Sequence, residues 1–428
     1  MKRLWQLLYY LFISPLIIIS AHLVAFFSKN VREGLIPRYA VFKHIREQIS
    51  ANQGHRKCIL YHSASLGEFE HIKPLLEVLH RQYNTYNVVT FFSPSGYNHA
   101  RADKTMHMRL YMPFDLPVFW RIFFNLLKPD LLLVAKHDVW PAQIWTAKKE
   151  KIPLYLINAS LPENSTRTRW YIKNFLKHVY REFTYICAIS DEDKIRFSRH
   201  YPRCRVTMVG DTKYDQVVMR KKEAQKTNLL PPKWKAKKWI FVAGSIWPED
   251  SEHLLPVLKK MLVRFSAVSI IIVPHQPDIR TVEIYEREFE EWKTCRFSTR
   301  ETITDERVLI VDGVGFLAAI YESAQAAYVG GSFKQGIHNV MEPAIYGIPV
   351  IFGPVHTNSY EAMRLAETGG AFITKNEQEI EQKLFYFVQN EDIRIKTGQK
   401  AATFALENTG ATEKLLDLWK PFLKRATD

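Results

Sequence analysis

Short apolar runs alternate with longer amphipathic stretches along most of the chain. The first half contains seven such runs, at 58–62, 88–92, 110–113, 131–135, 154–157, 185–189 and 206–209. Continuous apolar runs of this length are typical of parallel strands that are covered on both faces. Helix-like segments lie between several of them, for example at 69–82 and 118–127. The pattern therefore predicts an α/β fold with a doubly wound sheet.

A second set of six runs follows after a break, at 239–243, 270–273, 308–311, 327–329, 350–352 and 371–373. The break, 217–238, is rich in lysine and contains Pro231 and Pro232, so we interpret it as a linker. We predict two Rossmann-like domains, at 31–216 and 239–428. Two such domains leave a cleft at the carboxyl ends of their strands, where α/β sheets bind ligands. The last apolar helix, 412–424, is expected to pack onto a domain, and a crossing to the first domain stays open.

The N-terminal segment is the membrane signal of the sequence. Residues 4–27 contain no Asp, Glu, Lys or Arg, and basic residues stand on both sides of them. As a helix of about 1.5 Å per residue, this segment is long enough for a bilayer core. It is too long for the apolar part of a signal peptide, and no small-residue cleavage site follows it. We predict a membrane anchor at 1–30. A buried core helix is the alternative, and whether the anchor spans the bilayer or lies in its interface stays open.

Composition narrows the class of partners. The 428 residues carry a net charge of +15, and such a surface attracts anions, so anionic lipids or phosphorylated substrates are expected partners. No zinc-finger spacing, RNP-like aromatic box or long basic run points to nucleic acid. The four cysteines form no C-x-x-C pair, and no Cys/His cluster predicts a metal site. No G-x-S-x-G elbow, Walker loop or H-E-x-x-H motif is present.

A small-residue turn directly after the first predicted strand carries a carboxylate. The segment from His62 to Glu68 includes Ser65 and Gly67 before a helix begins. Gly67 permits a tight turn and a close approach of a ligand. Glu68 at the helix start is able to take a proton from an attacking hydroxyl. The alternative is that Glu68 only complements the helix dipole.

The second domain contains further turns after its strands. The Gly330-Gly331-Ser332 turn offers backbone N–H groups to a phosphate. The following segment from Gly336 to Ala344 begins a helix at Asn339, and Glu342 is placed to accept the ribose hydroxyls of a nucleotide. Ordinary helix capping by Asn339 and Glu342 is the alternative.

Four more polar or small-residue segments follow strands. Gly244 and Ser245 form one turn. Pro274 and His275 begin an extended loop that is fixed by the prolines at 274 and 277. In the first domain, Asp138 is placed to position a charged group, and Lys213 to neutralise a departing phosphate. A surface role is an equally compatible alternative for Asp138 and Lys213, and a plain strand-to-helix turn is the alternative for the Pro274-His275 segment.

Taken together, these motifs resemble the Kdo transferases, from the N-terminal anchor to the final helix. The resemblance rests on S-x-G-E at 65–68, W-P at 140–141, G-x-x-K-x-D at 210–215, A-G-S at 243–245, G-G-S at 330–332, H-N-x-x-E-P at 338–343 and F-G-P at 352–354. Members of this family have a two-domain GT-B fold. They transfer 3-deoxy-D-manno-octulosonic acid (Kdo) from CMP-Kdo to the lipid A precursor of Gram-negative bacteria, with inversion and without a metal or other cofactor.

The resemblance implies roles for individual residues. Glu68 corresponds to the general base, and Asp138 and Lys213 to residues that support the transition state. The remaining positions correspond to substrate- and nucleotide-binding segments: Ser65, Gly67, Gly244, Ser245, Pro274, His275, Val314, Gly315, Phe316, Gly330, Gly331, Ser332, His338, Asn339, Val340, Met341 and Glu342. The implied location is the cytoplasmic face of the inner membrane, with an anionic membrane surface as a partner and no nucleic acid.

The chain departs from the family pattern beside the expected nucleotide. His275 stands where the family has an Arg, Phe316 replaces a Glu, and Lys136 replaces an acid. The usual Asn-Ala-Arg-Leu-Ser is here Asn158-Ala159-Ser160-Leu161-Pro162. Two other hypotheses therefore remain: a GT-B transferase that uses a UDP-sugar and another lipid acceptor, and a non-catalytic, membrane-bound relic that binds an anionic lipid or a protein. Retention of Glu68, Lys213 and Glu342 together argues against the relic.

Overall fold

The chain divides into two units. The structure, a computed structural model, describes residues 1–52, 54, 56–100, 104–226, 229–237, 239–302 and 305–423. The first unit comprises Met1–Gln216 together with Thr409–Asp428, and the second comprises Val217–Asn408.

The first unit is built on a parallel sheet whose strand order is β3-β2-β1-β4-β5-β6-β7. Its strands are β1 Cys58–Ser63, β2 Tyr86–Phe91, β3 Met108–Tyr111, β4 Leu131–Ala135, β5 Leu154–Ala159, β6 Tyr185–Ala188 and β7 Val206–Met208. In β1, Cys58 and Leu60 join the core on one face of the sheet, whereas Ile59 and Tyr61 join the core on the other. Burial of both faces explains why the strands read as continuous apolar runs.

Helices cover both faces of this sheet. They are α1 Lys2–Leu8, α2 Ser14–Phe27, α3 Lys29–Leu35, α4 Val41–Asn52, α5 Leu66–Tyr83, α6 Pro94–His99, α7 Pro117–Leu127, α8 Pro141–Lys149, α9 Trp170–Tyr180, α10 Asp191–His200 and α11 Thr212–Ala224. Three of them begin at a proline that follows a strand or a loop, where the missing N–H has no helical partner to lose.

The N-terminal segment forms one helix, Lys2–Phe27, which is long and apolar enough to cross a membrane by length and composition. A π-helical segment, Tyr9–Ile13, joins α1 to α2 just before Pro15, whose ring cannot donate a backbone hydrogen bond. One face of the helix packs onto the first unit, while most of its apolar side chains on the other face are exposed.

Asp115 holds this helix against the first unit. Its buried carboxylate accepts hydrogen bonds from the Tyr9 hydroxyl at 2.7 Å and from the Trp120 indole at 2.7 Å. It also accepts from the backbone N–H groups of Ala142 at 3.1 Å and Gln143 at 3.0 Å, at the start of α8. Ser14 adds a bond to the Asp115 carbonyl at 2.7 Å. The anchor is thus fixed to the same helix start that follows Asp138 and Trp140.

The second unit contains a parallel sheet in the order β10-β11-β9-β8-β12-β13-β14. Its strands are β8 Trp239–Ile246, β9 Val268–Pro274, β10 Thr294–Arg296, β11 Val308–Ile310, β12 Ala326–Val329, β13 Val350–Phe352 and β14 Ala371–Ile373. Its helices are α12 Pro232–Lys235, α13 Pro248–Arg264, α14 Ile279–Glu288, α15 Leu317–Ile320, α16 Met341–Ala344, α17 Tyr360–Glu367, α18 Glu377–Gln389 and α19 Glu391–Glu407. Strand β10 was not predicted, because this short edge strand is only half-buried and its sequence is polar.

The stretch 217–238 differs from the linker that its composition predicts. Helix α11 continues to Ala224, and α12 follows a short turn. Leu230 and Trp234 are buried in the core of the second unit with Ile240 and Ile271. Because lysines surround these two apolar residues in the sequence, the local pattern did not predict that they join a core. Residues 227, 228 and 238 lie outside the described residues.

The last helix, α20 Ala411–Leu423, belongs to the first unit. The Asp215 carboxylate accepts from the N–H groups of Gly410 and Thr412, each at 2.7 Å, and so caps its start. Trp419 is fully buried beside Tyr155, with ring centroids 5.9 Å apart. The last Asp of the G-x-x-K-x-D motif is therefore a structural residue. Lys424, where the sequence places the helix end, lies outside the described residues.

Candidate active site

Glu68 lies in the first turn of α5, immediately after β1. Ser65 caps the helix, and its hydroxyl accepts from the Glu68 N–H at 3.5 Å. The Glu68 carboxylate folds back and accepts the Ala64 N–H at 2.7 Å. The side chain is buried, with 7% of the residue exposed. A carboxylate at this position receives one backbone donor but little water.

The surroundings of Glu68 favour a proton acceptor. Burial raises the pKa of the Glu68 carboxyl, the Ala64 N–H lowers it, and the nearby charge of Asp138 raises it further, so that the pKa stands above its ordinary value. A general base is most effective when its pKa lies near the working pH. The dipole interaction considered from the sequence accounts for the position of Glu68 but not for its burial.

Asp138 follows β4 and forms a buried chain of hydrogen bonds with His62. His62 Nε2 lies 2.9 Å from Asp138 Oδ2, and His62 Nδ1 lies 3.0 Å from Thr90 Oγ1. Burial raises the pKa of Asp138, but His62, Trp140 and His137 together lower it more, so that the net pKa is below its ordinary value. The two carboxylates therefore have pKa values moved apart, which is the usual sign of separate acid–base roles.

His62 is a residue to which sequence reasoning gave no role. It is fully buried in β1 and holds Asp138 in place through one ring nitrogen. Its position at the end of the first strand, one step before the small-residue turn, was the available signal.

Lys213 lies at the start of α11 beside Asp211. Its ammonium is 3.4 Å from Asp211 Oδ2, and 21% of its side chain is exposed. Burial raises the pKa of Asp211, but the charges of Lys213, His71 and Lys136 together with the Lys213 N–H lower it more, so that the net pKa is below its ordinary value. The start of the helix is fixed by Asn158, whose amide donates to Thr212 Oγ1 at 2.7 Å. Asp138, Glu68 and Lys213 all belong to the first unit, each after the carboxyl end of one of its strands.

Gly67 differs from the turn residue that was predicted. It lies within α5 and is not among the glycines with positive φ. An added Cβ would meet no atom closer than Ser65 Oγ at 4.0 Å, so neither backbone strain nor crowding requires glycine here. The open space above it agrees with a close approach by a ligand.

The Gly330-Gly331-Ser332 turn packs closely against other segments of the second unit. The Gly330 N–H donates to the Gly244 carbonyl at 2.8 Å, and the Gly331 N–H donates to Asp250 at 2.7 Å. A Cβ on Gly330 would lie 2.2 Å from the Ser245 carbonyl oxygen. The prediction that these N–H groups face a phosphate is wrong for both glycines, because the protein itself uses them.

Ser332 and Gly244 also serve the packing of the second unit. The buried Ser332 hydroxyl accepts the Gly353 N–H at 2.7 Å. A Cβ on Gly244 would lie 2.0 Å from the Tyr321 hydroxyl, so the strand passes this ring only as glycine. Ser245, with φ of 53°, turns the chain directly after Gly244.

Three rings stack at the ends of β8 and β9. His275 stacks over both Trp247, at 4.3 Å, and His338, at 4.5 Å, whose own ring centroids lie 6.4 Å apart. The Trp247 indole donates to His338 Nε2 at 2.9 Å. Burial lowers the pKa of both histidines. His275 and His338 thus belong to one stacked surface with Trp247, which sequence reasoning missed. Pro274 ends β9 directly before His275.

Glu342 is paired inside the second unit. Its carboxylate forms an ion pair with Arg220 of α11, which sequence reasoning also missed. The Asn339 side chain accepts the Met341 N–H at 3.0 Å, as the capping alternative requires. Val340 and Met341 are buried as whole residues, whereas Asn339 beside them is exposed.

The loop before α15 exposes two of its three predicted residues. Val314 is 67% exposed, and Gly315 has a φ of 90°. Phe316 instead packs on Phe297, with ring centroids 4.7 Å apart. The side chain that replaces the family's Glu therefore joins the core and adds no polar group to this loop. The described part of the chain contains no cluster of three or more His, Cys, Asp or Glu side chains arranged to hold a metal.

Known proteins similar to this chain identify its family. Residues 38–216 match the family model described as 3-Deoxy-D-manno-octulosonic-acid transferase (kdotransferase). The chain is 28% identical to the 3-deoxy-D-manno-octulosonic acid transferase of Haemophilus influenzae over 437 residues, which cover 99% of this chain and 100% of that protein. It is 30% identical to the Aquifex aeolicus enzyme of the same name over 331 residues, which cover 76% of this chain and 84% of that one.

A solved structure supports the fold. The glycosyltransferase from Rickettsia africae ESF-5 is 12% identical and superposes with a TM-score of 0.52, covering 87% of this chain and 100% of that one. This likeness concerns the two-sheet architecture alone. Together with the identity to the Aquifex protein over most of its length, it shows that the chain is a GT-B glycosyltransferase that belongs to the 3-deoxy-D-manno-octulosonic acid transferase family.

Proposed function

We propose that this enzyme transfers Kdo from CMP-Kdo to a sugar hydroxyl of a lipid A precursor, in lipopolysaccharide synthesis at the cytoplasmic face of the inner membrane. The observation that carries the proposal is the buried Glu68 carboxylate with its raised pKa, in the S-x-G-E turn that the family shares. The relatives are named for Kdo transfer, which supports the choice of sugar.

The proposed reaction is a direct displacement. Glu68 accepts the proton of the acceptor hydroxyl while that oxygen forms a bond to the anomeric carbon of Kdo. The bond from this carbon to the CMP phosphate oxygen breaks at the same time, and CMP leaves with the electron pair from the opposite face. The configuration at the anomeric carbon therefore inverts.

Asp138 and Lys213 are assigned supporting roles. His62 keeps Asp138 ionised. Asp138 therefore does not donate a proton to Glu68, and its negative charge helps to orient the reacting groups. Lys213 supplies positive charge for the phosphate that develops charge in the transition state. Its partner Asp211 holds the ammonium in position.

The donor is assigned to the second unit. The stacked surface of Trp247, His275 and His338 offers neutral rings to the cytosine base or its ribose. Val314 and Gly315 supply an exposed loop, and the backbone around Asn339 supplies polar contacts. Glu342, positioned by Arg220, remains our candidate for the ribose hydroxyls.

The membrane location follows from charge and exposure. The net charge of +15 attracts the anionic cytoplasmic leaflet, at about 1 kcal/mol for each Lys or Arg near the surface. The exposed apolar face of the Lys2–Phe27 helix supplies the hydrophobic contact. Anchoring raises the local concentration of a lipid acceptor.

The test is an assay of the purified full chain with CMP-Kdo and a lipid A precursor, with products resolved by mass spectrometry. We expect products heavier than the acceptor by one or more Kdo units. In parallel, CMP is expected to raise the melting temperature more than UDP does. A larger shift with UDP and no product would contradict the donor, and a shift with CMP alone but no product would contradict the acceptor or the sugar.

We expect the reaction to be independent of a metal. Lys213 is assigned to meet the charge on the leaving phosphate, so chelation with EDTA should leave the rate unchanged. The same assay run with and without EDTA measures this. Loss of activity that added magnesium restores would contradict it.

Replacing His275 by alanine is expected to raise the KM for CMP-Kdo about 2- to 10-fold, with kcat nearly unchanged, because one stacked aromatic contact contributes roughly 0.5–1.5 kcal/mol. His275 has a lowered pKa and is neutral at neutral pH. Its protonation at lower pH adds a cation beside the nucleotide, so the wild-type KM should fall as the pH drops through this pKa.

The control is His253→Ala, which removes a histidine stacked on Phe333 at 4.1 Å in the same unit. Steady-state kinetics over a pH series distinguish the two variants. An unchanged KM in His275→Ala would remove the stacked surface from the donor site.

A further inference from the structure

An apolar pocket of about 270 Å³ lies within the first unit, beneath the N-terminal helix. We call it the apolar pocket and define it by Ile17, Ile18, Ala21, Val31, Met112 and Phe114, which line it. Helices α2 and α3 form one wall, and the loops after β2 and β3 form the other. No element of the catalytic proposal uses this space.

The Arg38 guanidinium and the Ser14 hydroxyl, two polar groups along the apolar pocket, are already satisfied by the protein. Arg38 donates to the carbonyls of Gly34 at 2.9 Å, Met112 at 3.1 Å and Phe92 at 2.6 Å. The Ser14 hydroxyl donates to the Asp115 carbonyl at 2.7 Å. Because these donors have partners, the pocket offers a ligand mainly apolar contact.

The pocket adjoins the loop that carries Glu68. Ser93 lines the pocket, and its N–H donates to the Ala64 carbonyl at 2.9 Å. The N–H of the same Ala64 donates to the Glu68 carboxylate at 2.7 Å. Trp140, two residues after Asp138, also lines the pocket and stacks on Phe92, with ring centroids 5.1 Å apart. One side of the pocket is therefore built from the neighbours of the catalytic carboxylates.

The other side of the pocket is the helix that faces the membrane. The first unit contacts this helix along its length, from the Lys2–Glu182 ion pair at 2.6 Å to the His22–Phe114 ring contact at 5.8 Å. Its opposite face exposes a stripe of apolar side chains: Leu4, Leu11, Leu16, Ile19, Leu23 and Phe27. The same helix thus lines the apolar pocket on one face and exposes apolar side chains on the other.

We propose that the apolar pocket binds one fatty acyl chain of the lipid acceptor and so directs the sugar hydroxyl to Glu68. This inference rests on the proposed function. An engineered cavity of about 150 Å³ holds benzene, so by proportion 270 Å³ accommodates roughly ten carbon atoms of a chain. Each buried methylene contributes roughly a factor of 4 to affinity. The pocket therefore distinguishes an acylated acceptor from its deacylated sugar.

The first test fills the pocket. Ala21→Trp adds an indole from α2, and Val31→Trp adds one from α3. The control, Ser20→Trp, places the same side chain on the exposed side of α2, outside the pocket. Each is assayed with the acylated lipid A precursor and with the same phosphorylated disaccharide after its acyl chains are removed.

We expect both pocket variants to raise the KM for the acylated acceptor roughly 10-fold or more, since a few methylenes lose their contact. Their kinetics with the deacylated disaccharide should match the wild type, as should Ser20→Trp with both acceptors. An equal loss with both acceptors, or no change with either, would overturn the proposal.

The second test measures occupancy without turnover. Bromine atoms on an acyl chain quench the fluorescence of a nearby tryptophan. The contribution of Trp140 to this fluorescence is the difference between the wild type and Trp140→Phe. Acceptor with brominated chains should quench the Trp140 fluorescence in the wild type but not in Ala21→Trp, where that fluorescence is the difference between Ala21→Trp and the double variant Ala21→Trp, Trp140→Phe. Quenching by brominated phosphatidylglycerol that the acceptor does not displace would assign the pocket to bulk phospholipid and overturn the proposal.

The two tests separate the two ideas. If the wild type transfers no sugar to either acceptor, the proposed function fails. The pocket is then judged by quenching alone: quenching of Trp140 by the acceptor chains supports it, and no quenching overturns it.

Discussion

Replacing Glu68 by glutamine is expected to lower kcat/KM by roughly 10²- to 10⁴-fold, because the amide keeps the shape of the side chain but takes up no proton. The Ala64 N–H still finds an acceptor oxygen in the variant, so the loop that carries the residue should stay in place. The measurement is Kdo transfer by the purified full chain, with the acceptor and donor at saturating and limiting concentrations.

The pH dependence gives this prediction a second readout. The base works only when ionised, and burial raises the pKa of Glu68. The wild-type kcat/KM should therefore rise with pH through this raised pKa and level off above it. The residual activity of Glu68→Gln should lack that acid limb.

The Glu68→Gln variant is expected to be more stable than the wild type, although it is less active. An acid whose pKa is raised on folding binds more protons in the folded state, so its contribution to stability is lost as the pH rises from about 4.3 to the raised pKa. Glu68→Gln lacks this loss. Its free energy of unfolding should exceed that of the wild type by an amount that grows with pH and then levels off.

The matched control is Glu77→Gln on the same helix, whose carboxylate pairs with Arg81 at 3.0 Å on the surface. It should change neither activity nor the pH profile. If Glu68→Gln keeps more than about a tenth of the activity, general-base catalysis by Glu68 is wrong, since such a step contributes at least about 10²-fold.

Replacing Asp115 by alanine is expected to destabilise the first unit by roughly 3–5 kcal/mol, because it removes one carboxylate that accepts four hydrogen bonds. The Tyr9 hydroxyl, the Trp120 indole and two backbone N–H groups of α8 lose their acceptor inside the core. Each buried donor left without a partner costs about 1–3 kcal/mol.

Hydrogen exchange measures this effect where it arises. The amides of Ala142 and Gln143 should exchange faster in Asp115→Ala, and so should the amides of α2, because Tyr9 loses its tether. Denaturant unfolding of the full chain gives the total cost. Asp115→Asn, which keeps one acceptor oxygen, should fall between the wild type and the alanine variant.

The control for this prediction is Asp417→Ala. Asp417 forms an exposed pair with Lys420 on α20, and such pairs contribute at most about 1 kcal/mol. A cost for Asp115→Ala no larger than that of the control would mean that the anchor helix is held by apolar packing alone.

The sequence by itself determined the strands of the sheets and the position of the turn that carries Glu68. The apolar runs predicted thirteen of the fourteen strands found among the described residues, because a strand covered on both faces needs apolar residues at every position. It also indicated the apolar N-terminal helix and placed Glu68 at the start of the helix after β1. These features depend on residues that are neighbours in the chain, so a local pattern is enough to recognise them.

Only the tertiary structure decided which groups have partners. The N–H groups of Gly330 and Gly331 are taken by Gly244 and Asp250, so a turn that reads as a phosphate site is a packing contact. Phe316 turns inward to Phe297, and Glu342 pairs with Arg220, 122 residues away. No local pattern encodes such pairings, because their members meet only after the sheets have formed.

The apolar pocket is also a feature that only the tertiary structure decided. Its walls come from the N-terminal helix and from the loops after β2, β3 and β4, and the bond from Tyr9 to Asp115 that holds them together spans 106 residues. The sequence predicts an apolar anchor and a catalytic loop as separate features. Their meeting around a shared cavity follows from the order of the strands, which brings the ends of β2, β1 and β4 side by side beneath the helix.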